Sequence, residues 1–146
     1  RLKNGERFLS RFFGERMAEV WKNSGLCADA IVPVPLTAEK ERERGYNQSA
    51  ELAKVLSEET GIKYRNILVK RRETSPQKEL SFREPAENVK GAYRAAEKNA
   101  CRGLKHLLAD DVTTTGATGY ECAAALLAGG AQEVFFLTAT SLPEKK

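Results

Sequence analysis

Residues 104–131 constrain the fold of this chain more than any other stretch. They read LKHLLADDVTTTGATGYECAAALLAGGA: an apolar run, two adjacent acids, a turn of threonines with one glycine, then an alanine-rich segment ending at a glycine pair. An apolar run with few interruptions, here 104–112, has the pattern of a strand buried on both faces. The alanine-rich segment, 117–131, has the propensity of a helix with a glycine stop. A strand handed through a tight turn to a helix is the unit from which parallel sheets are built.

The rest of the chain repeats this alternation. Residues 8–22 set Phe8, Leu9, Phe12, Phe13, Met17, Val20 and Trp21 at helical spacing, a stripe that suits a core or an interface. Residues 28–36, ADAIVPVPL, predict a strand that ends in a special turn, because Pro33 and Pro35 are unsuited to central ladder positions. A helix is expected over 47–61, with Leu52, Val55 and Leu56 as its stripe and Gly61 at its stop. Residues 66–70, NILVK, predict a strand. Roughly twenty polar residues follow, a length typical of a lid or an unstructured segment. A last strand is expected over 133–141, then a frayed tail. Strands alternating with helices argue for one α/β domain over 1–146, with a helical region over 1–25. Its parallel sheet would be covered on both faces. In such folds ligands bind at the carboxyl ends of the strands, where VPVPL and DDVTTTGAT both fall.

Composition narrows the class. The chain has 146 residues, 41% of them hydrophobic and 30% charged, enough for a core without covalent staples. No apolar run approaches the ~20 residues of a membrane span, and the N-terminus has no apolar leader region. Cys27, Cys101 and Cys122 form no CxxC pair and cannot pair evenly, so a reduced, cytoplasmic protein is expected. With one histidine and no ligand spacing, no protein-bound metal site is expected. The net charge of +4 suits a phosphorylated ligand or weak attraction to nucleic acid, and decides neither. No GxxxxGK[ST] occurs, which disfavours a P-loop nucleotidase.

The turn itself suggests a chemistry. A strand-to-helix turn gathers backbone N–H groups at one point, and the helix dipole behind them favours an anion. Threonine hydroxyls add donors, and Gly116 allows close approach of the backbone. Two carboxylates cannot bind phosphate, but they accept hydrogen bonds from vicinal hydroxyls. Acids for a diol followed at once by a phosphate loop describe a ribose 5-phosphate. A receiver-type acidic pocket fits less well, since no aspartate follows Asp111.

Two acids followed by a Thr-Gly-small-Thr turn resemble the phosphoribosyl-pyrophosphate (PRPP) motif of type I phosphoribosyltransferases. The order IVPVPLTAEKERERGYNQSAELAKVL, RRETSPQKELS, ENVKGAY, DDVTTTGAT is similar to that of the ComF family of phosphoribosyltransferase-like competence proteins. The resemblance runs from about Ile31 to Leu142. It implies a type I phosphoribosyltransferase fold: a parallel sheet of four or five strands, flanking helices and a flexible hood over 70–91. Asp110 and Asp111 would hold the ribose hydroxyls. Thr113, Thr114, Thr115, Gly116, Ala117 and Thr118 would wrap the 5-phosphate. The turn from Leu36 and Thr37 onward would be the pyrophosphate loop, with Arg42 and Arg44 as charge partners. Lys70, Arg71 and Arg72 at the base of the hood could neutralise departing pyrophosphate.

Two features depart from the family. An arginine usual before the NVKGA run is replaced in the Glu84–Pro85 pair, with Arg83 shifted. The family often carries an N-terminal cysteine-rich zinc module; the expectation here is a chain without it, which would fit a truncated or short member.

The implied activity is transfer of a phosphoribosyl group from PRPP, with Mg²⁺, to an unidentified nitrogen acceptor, linked to competence and DNA uptake. Two alternatives stand beside it. One is a non-catalytic PRPP or nucleotide sensor. The other is a single-stranded DNA adaptor of the uptake machinery, with Arg42, Arg44, Arg71 and Arg72 as a basic track and Tyr46 for stacking. Outside the motifs the expectations are structural. Asn47 suits a helix cap as well as a ligand. His106 lies about 16 Å from the working end of its strand. Cys122 lies on an apolar helix face, and Tyr93 suits core packing.

Overall fold

The computed structural model describes residues 4–70, 92–96, 99–113 and 116–141. The elements run α1 (Asn4–Ser24), β1 (Ala30–Pro33), α2 (Ala38–Arg44), α3 (Gln48–Thr60), β2 (Lys63–Tyr64), β3 (Leu68–Lys70), β4 (Tyr93–Ala95), β5 (Lys105–Thr113), α4 (Ala117–Ala128) and β6 (Glu133–Ser141). Four strands form a parallel sheet in the order β2-β1-β5-β6. From β1 the chain passes through α2 and α3 to β2 on one side. From β5 it passes through α4 to β6 on the other. The winding therefore reverses between β1 and β5, and a crevice opens there at the carboxyl ends of the strands.

Two apolar layers hold the sheet. On one face Met17, Ala18 and Trp21 of α1 and Leu52, Ala53 and Leu56 of α3 bury Ile31, Leu107 and Ala109. Trp21 meets Phe135 of β6 edge-on, at 5.4 Å between ring centres. On the other face Cys122 and Leu126 of α4 pack with Val32, Leu108, Leu68 and Tyr93. The helix stripe at 8–22 divides accordingly. Met17 and Trp21 enter the core, whereas Phe8, Leu9, Phe12 and Val20 remain exposed.

The strand expected at 66–70 forms, but outside the parallel sheet. β3 pairs antiparallel with β4 as a separate two-stranded sheet, in the register Leu68–Ala95 to Lys70–Tyr93. The fourth parallel strand is instead β2, two residues long, too short for any periodicity to reveal. The hood expected over 70–91 lies, apart from Lys70, outside the described residues, as do Arg71, Arg72, Arg83 and Pro85.

His106 is fully buried at the start of β5, and neither ring nitrogen meets a hydrogen-bond partner among the described residues. Burial lowers its pKa and keeps the ring neutral. No helix among the described residues is long and apolar enough to cross a membrane.

α1 crosses α3 closely at Gly14. A Cβ there would lie 2.6 Å from Cβ of Val55. Gly14→Ala is expected to cost about 1–3 kcal/mol by overpacking, read as a lower urea midpoint. Val55→Ala in the same chain should recover part of that loss. Equal midpoints for wild type and Gly14→Ala would contradict the close crossing.

Candidate functional site

The site is built from the ends of β1 and β5 and the starts of the helices that follow them. β1 ends at Pro33, and Val34 continues beside β5, its N–H donating to the carbonyl of Ala109 at 2.9 Å. The chain turns through Leu36, which is half-buried, and Thr37, which is buried. Thr37 is the N-cap of α2, and its Oγ1 accepts from the N–H of Lys40 at 3.1 Å. The TAEKERERGYNQ segment is thus a short turn followed by a two-turn helix with no buried residue. It has no apolar stripe, which is why sequence periodicity did not mark it.

Arg42 and Arg44 both lie in the last turn of α2. Two residues apart on a helix, they project roughly 200° apart around its axis. Arg42 lines an open hollow of about 370 Å³ with Ala38, Glu41 and Gly45. Arg44 lies near the Tyr46 hydroxyl, which donates to Oε2 of Glu6 at 2.6 Å.

Asn47 resolves as a cap. Its Oδ1 accepts from the N–H of Ser49 at 3.0 Å, and its Nδ2 donates to the carbonyl of Val34 at 3.2 Å. The start of α3 is thereby fastened to the turn after β1. From the same helical turn the Ser49 hydroxyl, itself buried, donates to Oδ1 of Asp110 at 2.6 Å. The sequence reading missed Ser49. Sixty-one positions separate it from Asp110, and no local spacing encodes a contact made by sheet topology.

Asp110 and Asp111 stand near the carboxyl end of β5. Oδ1 of Asp110 also accepts from the N–H of Asp111 at 2.8 Å. Asp110 is 9% exposed, and Asp111 is half-buried. Burial pushes the Asp110 carboxyl up to about 6, and its neighbour Asp111 adds to the rise, while the Ser49 hydrogen bond opposes it. Cys122 of α4 lies below, and burial together with the Asp110 charge keeps it a thiol.

After β5, Thr114 and Thr115 lie outside the described residues, and of Thr113 only the backbone, the last residue of the strand, is described. Gly116 follows with φ +82°, a left-handed conformation that glycine adopts without strain. It is the N-cap of α4 and gives that helix no side-chain cap. Ala117 and Thr118 begin the helix, exposed and half-buried respectively. A helix that starts at a glycine just beyond a strand's carboxyl end has the polarity that attracts an anion. Lys70 ends β3, its Nζ 5.6 Å from the centre of the Tyr93 ring, and its charge acts on Cys122.

Among the described residues no group of three or more His, Cys, Asp or Glu side chains could hold a metal ion.

This arrangement defines a type I phosphoribosyltransferase fold. The chain superposes on the glutamine PRPP amidotransferase of B. subtilis with a TM-score of 0.62 at 22% identity, over 89% of this chain and 26% of that one. It superposes on the hypoxanthine phosphoribosyltransferase of Trypanosoma cruzi with a TM-score of 0.52 at 12% identity, over 94% and 74%. No protein-family model matches the chain.

Sequence relatives narrow the class. The DNA utilization protein YhgH of Salmonella typhi is 35% identical over 128 residues, 86% of this chain and 56% of the relative. Competence protein F of Haemophilus influenzae is 38% identical over 108 residues, 73% and 47%. Competence protein ComFC of Bacillus subtilis is 32% identical over 100 residues, 68% and 39%. The chain belongs to the ComF family, and spans about half the length of the curated relatives it matches.

The buried Asp110 charge has a consequence for stability. Its folded pKa, about 6, lies above the ordinary 3.8. The stabilising effect of the protonated acid is therefore complete below pH ~4 and lost as pH rises through ~6. Asp110→Asn keeps an acceptor for Ser49 and Asp111 without the charge. It should match wild type near pH 4 and exceed it at pH 7.5 by on the order of 2 kcal/mol in urea unfolding. Comparing the two proteins at each pH cancels the contribution of His106. A variant less stable than wild type at pH 7.5 would refute the assignment.

Proposed function

We propose that this chain binds PRPP and transfers its phosphoribosyl group to a nitrogen acceptor, in work linked to competence and DNA uptake. The observation that carries the reading is the Asp110–Asp111 pair at the switch between β1 and β5. One carboxylate is buried and anchored, and a glycine-started helix follows five residues on. The fold supports it, and so do the names of the relatives, competence protein F and DNA utilization protein.

In this reading Asp110 and Asp111 accept hydrogen bonds from the ribose 2′- and 3′-hydroxyls and fix the sugar. The Thr113–Thr118 turn and the first N–H groups of α4 take the 5-phosphate. Pyrophosphate lies toward the turn at Leu36 and Thr37, with Arg42 or Arg44 and the basic Arg71 and Arg72 as its counter-charges. Mg²⁺ arriving with PRPP would supply further counter-charge to the leaving pyrophosphate. The C1′–O bond breaks with oxocarbenium character, and the pyrophosphate keeps the electron pair. A nitrogen lone pair closes the new C1′–N bond, and the acceptor gives up its proton.

A second reading is a sensor that binds PRPP without turnover. The Glu84–Pro85 pair, where the family has an arginine, favours it.

Thermal unfolding with PRPP and Mg²⁺ tests both. Ligand at about 100 times its dissociation constant adds ~2.7 kcal/mol, roughly 5–10 °C in Tm for a domain of this size. Wild type should show that rise, and Asp110→Asn/Asp111→Asn should not. No rise at millimolar PRPP sinks both readings. A rise without pyrophosphate release across amine and nucleobase acceptors selects the sensor.

A further inference from the structure

We propose that Ser49 is a positioning residue of this site: its hydroxyl, offered from the first turn of α3, locks the Asp110 carboxylate into the orientation in which it meets a ligand. The inference rests on the ribose-phosphate reading of the Asp110–Asp111 pair and adds to it a residue from a different element.

Three observations carry it. The first is that the Ser49 hydroxyl is not used by its own helix. Asn47 caps α3 by accepting from the Ser49 N–H, which leaves Oγ to reach across to β5. A serine in the first turn of a helix commonly bonds locally to nearby backbone. Here the bond goes to a residue sixty-one positions away.

The second observation is the choice of oxygen. Ser49 Oγ and the Asp111 N–H both donate to Oδ1 of Asp110, at 2.6 Å and 2.8 Å. Among the described residues both of these donors fall on Oδ1, and the Asp111 side chain also acts on the same carboxyl; in this inference Oδ2 is the oxygen that meets a ligand. Two donors on one oxygen also fix the carboxylate plane, which a single donor would leave free to swing.

The third observation is that the contact is buried at both ends. Ser49 is 4% exposed and Asp110 9%. A hydroxyl-to-carboxylate bond shielded from water is much stronger than an exposed one. The groups that face Asp110 are Ser49 from α3, Asp111 from its own strand and Cys122 from α4. Lys70, at the end of β3, acts in turn on Cys122. Among these influences the Ser49 hydroxyl leads those that favour the ionised acid.

The test separates Ser49 from the PRPP reading. Carboxyl ¹³C NMR of the ligand-free protein follows the Asp110 titration directly, from its midpoint of about 6. Ser49→Ala should raise that midpoint by about one unit, the loss of one charge-assisted hydrogen bond. Ser49→Thr, which keeps the hydroxyl, should restore it. PRPP affinity in the presence of Mg²⁺ should follow. A midpoint moved from about 6 to about 7 leaves Ser49→Ala about threefold weaker than wild type at pH 6.5 from ionisation alone. That part of the loss vanishes at pH 8.5. A Ser49→Ala midpoint equal to or below wild type overturns the inference. So does an affinity loss that is the same at both pH values. A raised midpoint in a protein that binds no PRPP at any pH leaves Ser49 as the residue that orients Asp110, and removes the PRPP reading instead.

Discussion

β1 and β5 lie side by side and parallel, in the register Ala30–His106 to Pro33–Ala109. Everything at the site depends on this pairing. It brings the turn after Pro33 next to the turn after Asp111, although almost eighty residues separate them in sequence. Because the chain leaves β1 toward one edge and β5 toward the other, no crossover helix among the described residues covers the gap between the two strand ends. The crevice is therefore a consequence of winding direction. The same winding puts α3 beside β1 and β5 and α4 on the opposite face, so helix starts approach the crevice from both sides of the sheet.

Within that frame Asp110 is held at a cost. Burial raises its pKa, and Asp111 beside it raises it further. A fold selected only for stability would place an apolar residue here, as it does at Leu108 two residues earlier on the same strand. The cost is partly offset by two donors on Oδ1. What the arrangement secures is a carboxylate of fixed direction near neutral pH. Strained or costly groups held by dedicated partners concentrate where chemistry is done. His106 makes a useful contrast. It is more deeply buried than Asp110, yet it avoids the cost of a buried charge simply by staying neutral, and it sits at the opposite end of β5, away from the crevice.

The long elements were legible in the sequence because their patterns are local. The apolar run at 104–112 and the alanine-rich segment after Gly116 each carry their own period, and β5 and α4 fall within one to three residues of the expected bounds. Leu52 and Leu56 likewise announce α3, and Gly61 stops it in a left-handed turn at φ +79°. The acidic pair was legible for a different reason, since two charges at the end of a buried strand contradict the strand. What stayed hidden has one cause. β2 is held by pairing with β1 rather than by its own two residues. β3 joins a partner across the long polar segment. Ser49 meets Asp110 only once the sheet has formed. Interactions that topology creates leave no period in the chain.

Asn47 shows how the two kinds of information combine. From sequence it suited a cap and a ligand equally well. It caps α3 with its oxygen, and with its nitrogen it grips the Val34 carbonyl. One amide therefore ties α3 to the β1 turn, and two residues later Ser49 ties the same helix to β5. Since the rise per residue in a helix is only 1.5 Å, these two bonds hold the β1 turn and the acidic pair at nearly one level of α3. A shift of α3 along its axis would have to break both. The separation between the two halves of the crevice is thus set by a rigid helical turn, and not by either of the loops that line it. Loops on such a scaffold can vary in sequence without losing the geometry of the pair.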